Sequence, residues 1–223
     1  MDGLLLRLTT AFVLVFYLGG CEQRNEPAST AHRRQPVFDG TIVAVGDSLT
    51  AGLGVNEENA YPSQLEMKLR SAGYHWRVIN AGISGETSRG TLSRVFWILK
   101  LKPDIIVLET GANDGLRGID PRVTRKNIDE TVRILQANNV LVVLAGMRMV
   151  TNLGHEFTEE FYSNYRTVAE KYNLILVPFF LAGVAGDPSL NQADGIHPTT
   201  AGYRKVTETV YPYIIKAIDM KKR

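Results

Sequence analysis

The chain has 223 residues, 44% of them hydrophobic, and a formal net charge of +2 from 25 Lys+Arg against 23 Asp+Glu. That length suits one domain with a leader, and the near-balanced charge announces no strongly basic surface for nucleic acid. A single cysteine excludes an intrachain disulfide and a Cys-rich zinc site.

The leader comes first. Arg7 precedes an apolar run over residues 8–18. The run falls short of the roughly 20 apolar residues that a membrane-spanning helix needs, and it fits the apolar core of a secretory signal. Leu18-Gly19-Gly20-Cys21 follows directly. This resembles the lipobox of bacterial lipoproteins. The resemblance implies cleavage before Cys21, lipidation of Cys21 and a lipid anchor in the bacterial cell envelope, facing the periplasm or the cell surface. A plain N-terminal anchor helix with an inert Cys21 is the competing reading. Residues 22–36 are polar, carry Pro27, Ser29, Thr30 and Pro36, and read as a flexible tether. The expected division is a signal peptide over 1–20, a tether over 21–37 and one α/β domain over 38–223.

Within the domain, apolar runs rich in Val, Ile and Leu at 41–45, 77–80, 104–109, 140–145 and 174–177 predict five strands buried on both faces. Helical signals lie between them. Pro62 opens a helix that Gly73 ends. Asp120-Pro121 caps and opens the next, with Val123, Ile128, Val132 and Leu135 on one face. Residues 156–172 and 199–218 complete the set. Alternating strands and helices predict a parallel sheet covered on both sides, with ligands at the carboxyl ends of the strands.

The chemistry-bearing residues sit at those ends. The first strand runs into Gly46-Asp47-Ser48-Leu49, a turn that exposes a serine. Thr50 stands where the G-x-S-x-G elbow would place its second glycine, so that motif is absent. Ser48 alone also reads as a helix cap. Near the C-terminus, Asp194-Gly195-Ile196-His197-Pro198 places a carboxylate and an imidazole three residues apart. A nucleophilic serine needs a base, and the base needs a group that fixes its tautomer. His197 and Asp194 can fill those roles. Two further turns, Asn80-Ala81-Gly82-Ile83-Ser84-Gly85-Glu86 and Gly111-Ala112-Asn113-Asp114-Gly115, offer donors for an oxyanion. Glycine lets a backbone N–H approach closely, and asparagine adds amide hydrogens. Gly85 and Gly115 are assigned to the turns themselves. Asp47 is expected to support its loop through hydrogen bonds. His155 is placed in a loop after the fourth strand, and it, His32 and His75 are read as ordinary solvated or structural histidines.

Gly46-Asp47-Ser48-Leu49, Gly82, Gly111-Ala112-Asn113-Asp114 and Asp194-x-x-His197 occur in the order of the four blocks of the GDSL, or SGNH, hydrolases. The chain resembles that family over the whole domain from about Thr41. It is most similar to the bacterial thioesterase I, lysophospholipase and arylesterase group. Gly111 through Gly118, Val177-Pro178-Phe179-Phe180 and Asp194 through Pro198 carry this closer match. The resemblance implies a flavodoxin-like three-layer α/β/α fold around a five-stranded parallel sheet. It implies a serine hydrolase of acyl or aryl esters or thioesters that passes through an acyl-enzyme. Ser48 would be the nucleophile, His197 the base and then the acid, and Asp194 the residue that orients it. The oxyanion hole would be the backbone N–H groups of Ser48 and Gly82 with the Asn113 side chain. No metal or organic cofactor is required.

Apolar residues near the predicted strand ends suit an acyl guest, and Ile83, Leu116, Met149 and Phe179 are the expected substrate contacts. One of Phe179 and Phe180 is expected in the core. The resemblance suggests that residues 147–154 cover the acyl chain, but Arg148-Met149-Val150-Thr151-Asn152 departs from the relatives' proline-containing loop. The expected partners are a small acyl ester or lysophospholipid and, through the anchor, a membrane; a monomer is expected. A carbohydrate O-deacetylase and a non-catalytic lipid-binding lipoprotein are the competing readings. A phosphate-binding flavodoxin-type module is disfavoured, because Asp47 would repel phosphate at the first strand's end.

Overall fold

The computed structural model describes residues 37–149 and 153–222. The signal, the tether and Cys21 therefore lie outside the described residues, as do Val150, Thr151 and Asn152. The five predicted strands form as β1 (Gly40–Gly46), β2 (Trp76–Gly82), β3 (Ile105–Glu109), β4 (Leu141–Ala145) and β5 (Ile175–Val177). They make one all-parallel sheet in the order β2-β1-β3-β4-β5. β3 is buried along its whole length and β1 from Ile42 onward. Continuous apolar runs have this consequence, since both faces of a central parallel strand meet helices.

The helices are α1 (Ser48–Ala51), α2 (Tyr61–Ser71), α3 (Ser88–Ser93), α4 (Val95–Leu99), α5 (Ala112–Leu116), α6 (Pro121–Ala137), α7 (His155–Tyr172) and α8 (Thr200–Lys221), with a 3₁₀ turn at Glu57–Asn59. α6 starts as the sequence predicts: Asp120 accepts a hydrogen bond from the Arg122 N–H, and Pro121 occupies the first turn. Gly73, at φ +84°, lies just past α2. The pair α3 and α4 was not anticipated; Thr87 caps α3 by accepting from the Gly90 N–H. His155 is the first residue of α7 rather than part of a loop.

The connection from β1 to β2 runs one way along the sheet, and those from β2 to β5 run the other. Right-handed crossovers then place the helices on opposite faces. α2 packs with α8, while α6 packs with α3, α4 and α7. The reversal falls at β1, where the register pairs Gly46 with Gly82 on one side and Val45 with Leu108 on the other. A doubly wound sheet opens its crevice at such a point, outside the strand carboxyl ends. The loops after β1, β2 and β3 all reach that crevice. Among the described residues no helix is long and apolar enough to cross a membrane.

Candidate active site

Ser48 opens α1 directly after β1 and is 9% exposed. Asp47 caps the helix, accepting from the Leu49 N–H at 2.9 Å. The turn is tight because Gly46 has no side chain; a Cβ there would overlap Thr50 and Glu109.

His197 arrives from the turn before α8. Its Nε2 lies 2.9 Å from Ser48 Oγ and its Nδ1 lies 2.7 Å from Asp194 Oδ2. A carboxylate only accepts, so Nδ1 carries the proton and the Nε2 lone pair faces the Ser48 hydroxyl. Asp194 also accepts from the backbone N–H groups of Ile196 at 2.9 Å and His197 at 3.0 Å. The His197 N–H, then its imidazole, then the Ile196 N–H hold the Asp194 carboxyl down at about 2. The three-residue spacing therefore works as a turn that closes on its own carboxylate.

Residues outside the motifs pin this turn. Gln192 donates to the carbonyls of Leu53 at 2.7 Å and Pro198 at 3.0 Å, tying the histidine turn to the loop after α1. Asn191 donates to the carbonyls of Val184 and Asp187 at 2.6 and 2.8 Å. Neither residue was singled out from sequence, because their role depends on carbonyls brought close only by the fold.

Asn113 sits in α5, just past β3. Its Nδ2 donates to Asp47 Oδ2 and to the Glu86 carbonyl, both at 3.0 Å. Asp47 thus supports its loop and also orients Asn113. Glu86 is fixed in turn by a nearly buried ion pair with Arg94, with contacts of 2.6 and 2.7 Å. Arg94 donates as well to the Ala81 carbonyl at 2.8 Å. Asp114 is buried and accepts from Ser88 N–H at 2.7 Å, Ser88 Oγ and Thr124 Oγ1, so it braces α3 and α6 rather than facing the crevice.

Gly82 does not meet the role expected of it. Its N–H is donated to Asn80 Oδ1 at 2.9 Å, so it is already spent. Its missing side chain serves close packing instead. A Cβ would lie 2.7 Å from Ala51 Cα and 2.8 Å from the Thr50 carbonyl carbon. Gly85, assigned to the turn from sequence, is the glycine of this loop that lines the crevice. Among the described residues neither the Ser48 nor the Gly85 N–H has a protein acceptor. Gly85 has φ +79°, and its carbonyl accepts from Arg117 at 2.9 Å. Composition could not separate the two glycines, since the choice depends on where each N–H points.

The crevice is a cavity of about 240 Å³. Its polar wall holds Ser48, His197, Asn113 and Gly85; its apolar wall is Leu49, Leu53, Ala112, Leu116 and Ile196. Of the four expected substrate contacts, only Leu116 lines it. Ile83 is exposed on the Gly85 loop but outside the lining. Met149 packs onto Gly115, where a Cβ would lie 2.6 Å from its Cγ. Phe179 lies beneath the Arg148 guanidinium at 5.5 Å, packed against the core, while Phe180 is fully buried. Sequence missed Leu49, Leu53, Ala112 and Ile196. Leu49, Ala112 and Ile196 gave only the signal of adjacency to Ser48, Asn113 and His197, and Leu53 gave none. A wider depression of about 470 Å³ between α2 and α8 holds no nucleophile–base pair.

A three-layer α/β/α sheet with a serine, imidazole and carboxylate in hydrogen-bond sequence at its switch point defines the class: an acyl ester hydrolase. More particularly, the chain belongs to the GDSL-like lipase/acylhydrolase family, whose model matches residues 44–205. It is similar to the esterase TesA of Pseudomonas aeruginosa, 40% identical over 173 residues, covering 77% of this chain and 86% of the relative. It is also similar to the thioesterase 1/protease 1/lysophospholipase L1 of Escherichia coli, 36% identical over 71% of this chain and 75% of the relative. The crystal structure of the psychrotrophic esterase EstA from Pseudoalteromonas sp., inhibited by monoethylphosphonate, superposes with a TM-score of 0.77 at 32% identity. That match covers 81% of this chain and all of the other. The protein is a carboxylic ester hydrolase.

Proposed function

We propose that the enzyme works by a Ser48–His197–Asp194 triad through an acyl-enzyme on Ser48. The carrying observation is the pair of contacts, 2.9 Å from Ser48 Oγ to His197 Nε2 and 2.7 Å from His197 Nδ1 to Asp194. His197 Nε2 takes the Ser48 proton as Oγ bonds to the ester carbonyl carbon. The imidazolium returns that proton to the leaving alcohol or thiol, and Asp194 stabilises the cation meanwhile. Water then repeats the cycle and frees the acid.

The oxyanion is received by the backbone N–H groups of Ser48 and Gly85 and by Asn113 Nδ2. Asn113 shares its hydrogens with Asp47 and the Glu86 carbonyl in the free enzyme. In the complex the hydrogen given to the Glu86 carbonyl turns to the oxyanion while Asp47 keeps the other, a side-chain change not open to the Gly82 backbone N–H. The apolar wall favours an acyl or aryl group over the acetyl of a sugar. A crevice near 240 Å³ with this wall has room for an acyl group beside Ser48. The N-terminal segment serves export and lipid anchoring at Cys21 in a bacterial envelope. The support is its place, directly after the apolar run, as the only cysteine of the chain.

Hydrolysis of p-nitrophenyl esters from acetate to palmitate tests the reading, with Ser48→Ala as the control. Turnover by folded Ser48→Ala protein at the wild-type rate would remove Ser48 as nucleophile. Cys21→Ser should release the full chain from membranes; continued sedimentation with them would favour the anchor helix.

A further inference from the structure

Glu109 ends β3 directly beneath the nucleophile turn and is completely buried. Its Oε2 accepts from the Asp47 N–H at 3.2 Å and from Thr50 Oγ1 at 3.0 Å. Its Oε1 meets no donor among the described residues. The Asp47 carboxyl lies within hydrogen-bond reach of the Glu109 carboxyl. The other titratable groups that act on Glu109 and its neighbours are Tyr61 from α2, Tyr165 from α7 and Tyr203 from α8, with His197 beyond Asp47 and Asp114 beyond Tyr165. No Arg or Lys hydrogen-bonds to it among the described residues. Two buried carboxyl groups in mutual contact without a cation cannot both be ionised.

Asp47 has other partners. Burial raises the Asp47 carboxyl too, but it accepts from Leu49 N–H and from Asn113 Nδ2, contacts that favour its charged form. Both Asp47 oxygens thus have donors, whereas the two donors to Glu109 meet one oxygen and leave the other, Oε1, without one, which suits an O–H. We propose that Glu109 is a positioning residue for ester hydrolysis, an un-ionised acid that donates its O–H to Asp47 and, through Asp47, holds the Asn113 amide at the nucleophile. Burial and the Asp47 charge both push the Glu109 carboxyl well above its ordinary value. Gly46 leaves the room this arrangement occupies, since a Cβ there would overlap the Glu109 carboxyl. The inference rests on the reading of Asn113 as an oxyanion donor.

The test uses the full chain with p-nitrophenyl butyrate. Glu109→Met removes the donor and should lower kcat about 10–100-fold with KM within about twofold, a fraction of the loss of a whole oxyanion donor. Glu109→Gln offers an oxygen for Thr50 and Asp47 N–H and an N–H for the Asp47 carboxylate, and should rescue kcat to within about threefold of wild type. In the Asn113→Ala background the Glu109→Met loss should shrink to below about threefold, because both act on one amide. A full loss in that background overturns the proposal but leaves Asn113 its role. A loss below tenfold for Asn113→Ala alone instead overturns the reading of Asn113. A Glu109→Gln enzyme as impaired as Glu109→Met overturns the proposal, since charge would then be what Glu109 supplies.

If Glu109→Met does not fold, melting of wild type against Glu109→Gln decides. A carboxyl raised on folding gives stability that is present below its unfolded value and lost as pH rises toward the folded one. The Tm advantage of Glu109→Gln should therefore grow from pH 5 to 9. A constant difference over that range overturns the proposal.

Discussion

Gly82→Ala separates packing from catalysis at one position. The added Cβ would stand 2.7 Å from Ala51 Cα and 2.8 Å from the Thr50 carbonyl carbon. Carbon atoms sit at about 3.5–4.0 Å and the Ala51 backbone nitrogen lies closer still to the added Cβ, so α1 must retreat from β2 by about 1 Å. Overpacking of this kind costs about 1–3 kcal/mol, and urea unfolding followed by Trp fluorescence measures it. For a domain of this size that corresponds to a Tm loss of about 2–12 °C. α1 carries Ser48, so the retreat stretches its 2.9 Å contact with His197 beyond hydrogen-bond reach. Misplacement by about 1 Å costs about 10²-fold in kcat. Both losses should appear together. Gly85→Ala is the comparison: its Cβ would meet only Arg117 Nη2, at 3.8 Å. It should pay only the left-handed backbone cost of about 1–2 kcal/mol. Gly82→Ala protein with wild-type stability and a 10²-fold loss in kcat would refute this reasoning, since the loss would then not come from overpacking.

Asn113→Ala should lower kcat about 10²–10³-fold with little change in KM, the usual loss for one oxyanion donor. Steady-state kinetics on the same esters checks it, and a raised KM with unchanged kcat would contradict the role. Asp194 is held down at about 2, so it stays a carboxylate throughout the working range. The acid limb of kcat/KM between pH 4 and 7 should therefore fall by no more than one proton's slope, and a two-proton slope would show that Asp194 titrates there. The same depression gives the fold stability that is present above the ordinary Asp value and lost as pH falls toward 2.

The linear chain carried much of this protein on its surface. Val, Ile and Leu runs located all five strands, because a strand buried on both faces has nowhere to put a polar side chain. Ser48, Asn113, Asp194 and His197 stood out because each follows a strand end or opens a helix, where short-range spacing already constrains the backbone. The Asp194–His197 turn is the clearest case: both its hydrogen bonds and its three-residue spacing are local.

Distances across the chain are different. Gly82 and Gly85 occupy one loop and look interchangeable as letters; the direction of each N–H is set by Asn80 and by α1 pressing on β2. Met149 and Phe179 have the character of a substrate wall, yet Gly115 and Arg148 claim them. Leu53 and Ile196 share the cavity where Gln192 ties two loops 139 residues apart. Glu109 reads as the unremarkable end of a strand until Asp47 and Thr50, about sixty residues earlier, are folded onto it. Sequence by itself determined which residues are chemically able and which strands are buried, because periodicity and residue type are properties of neighbours. The tertiary structure alone decided which N–H groups are free, which apolar side chains face the crevice and which acid lies buried against another, because those depend on contacts between segments far apart in the chain.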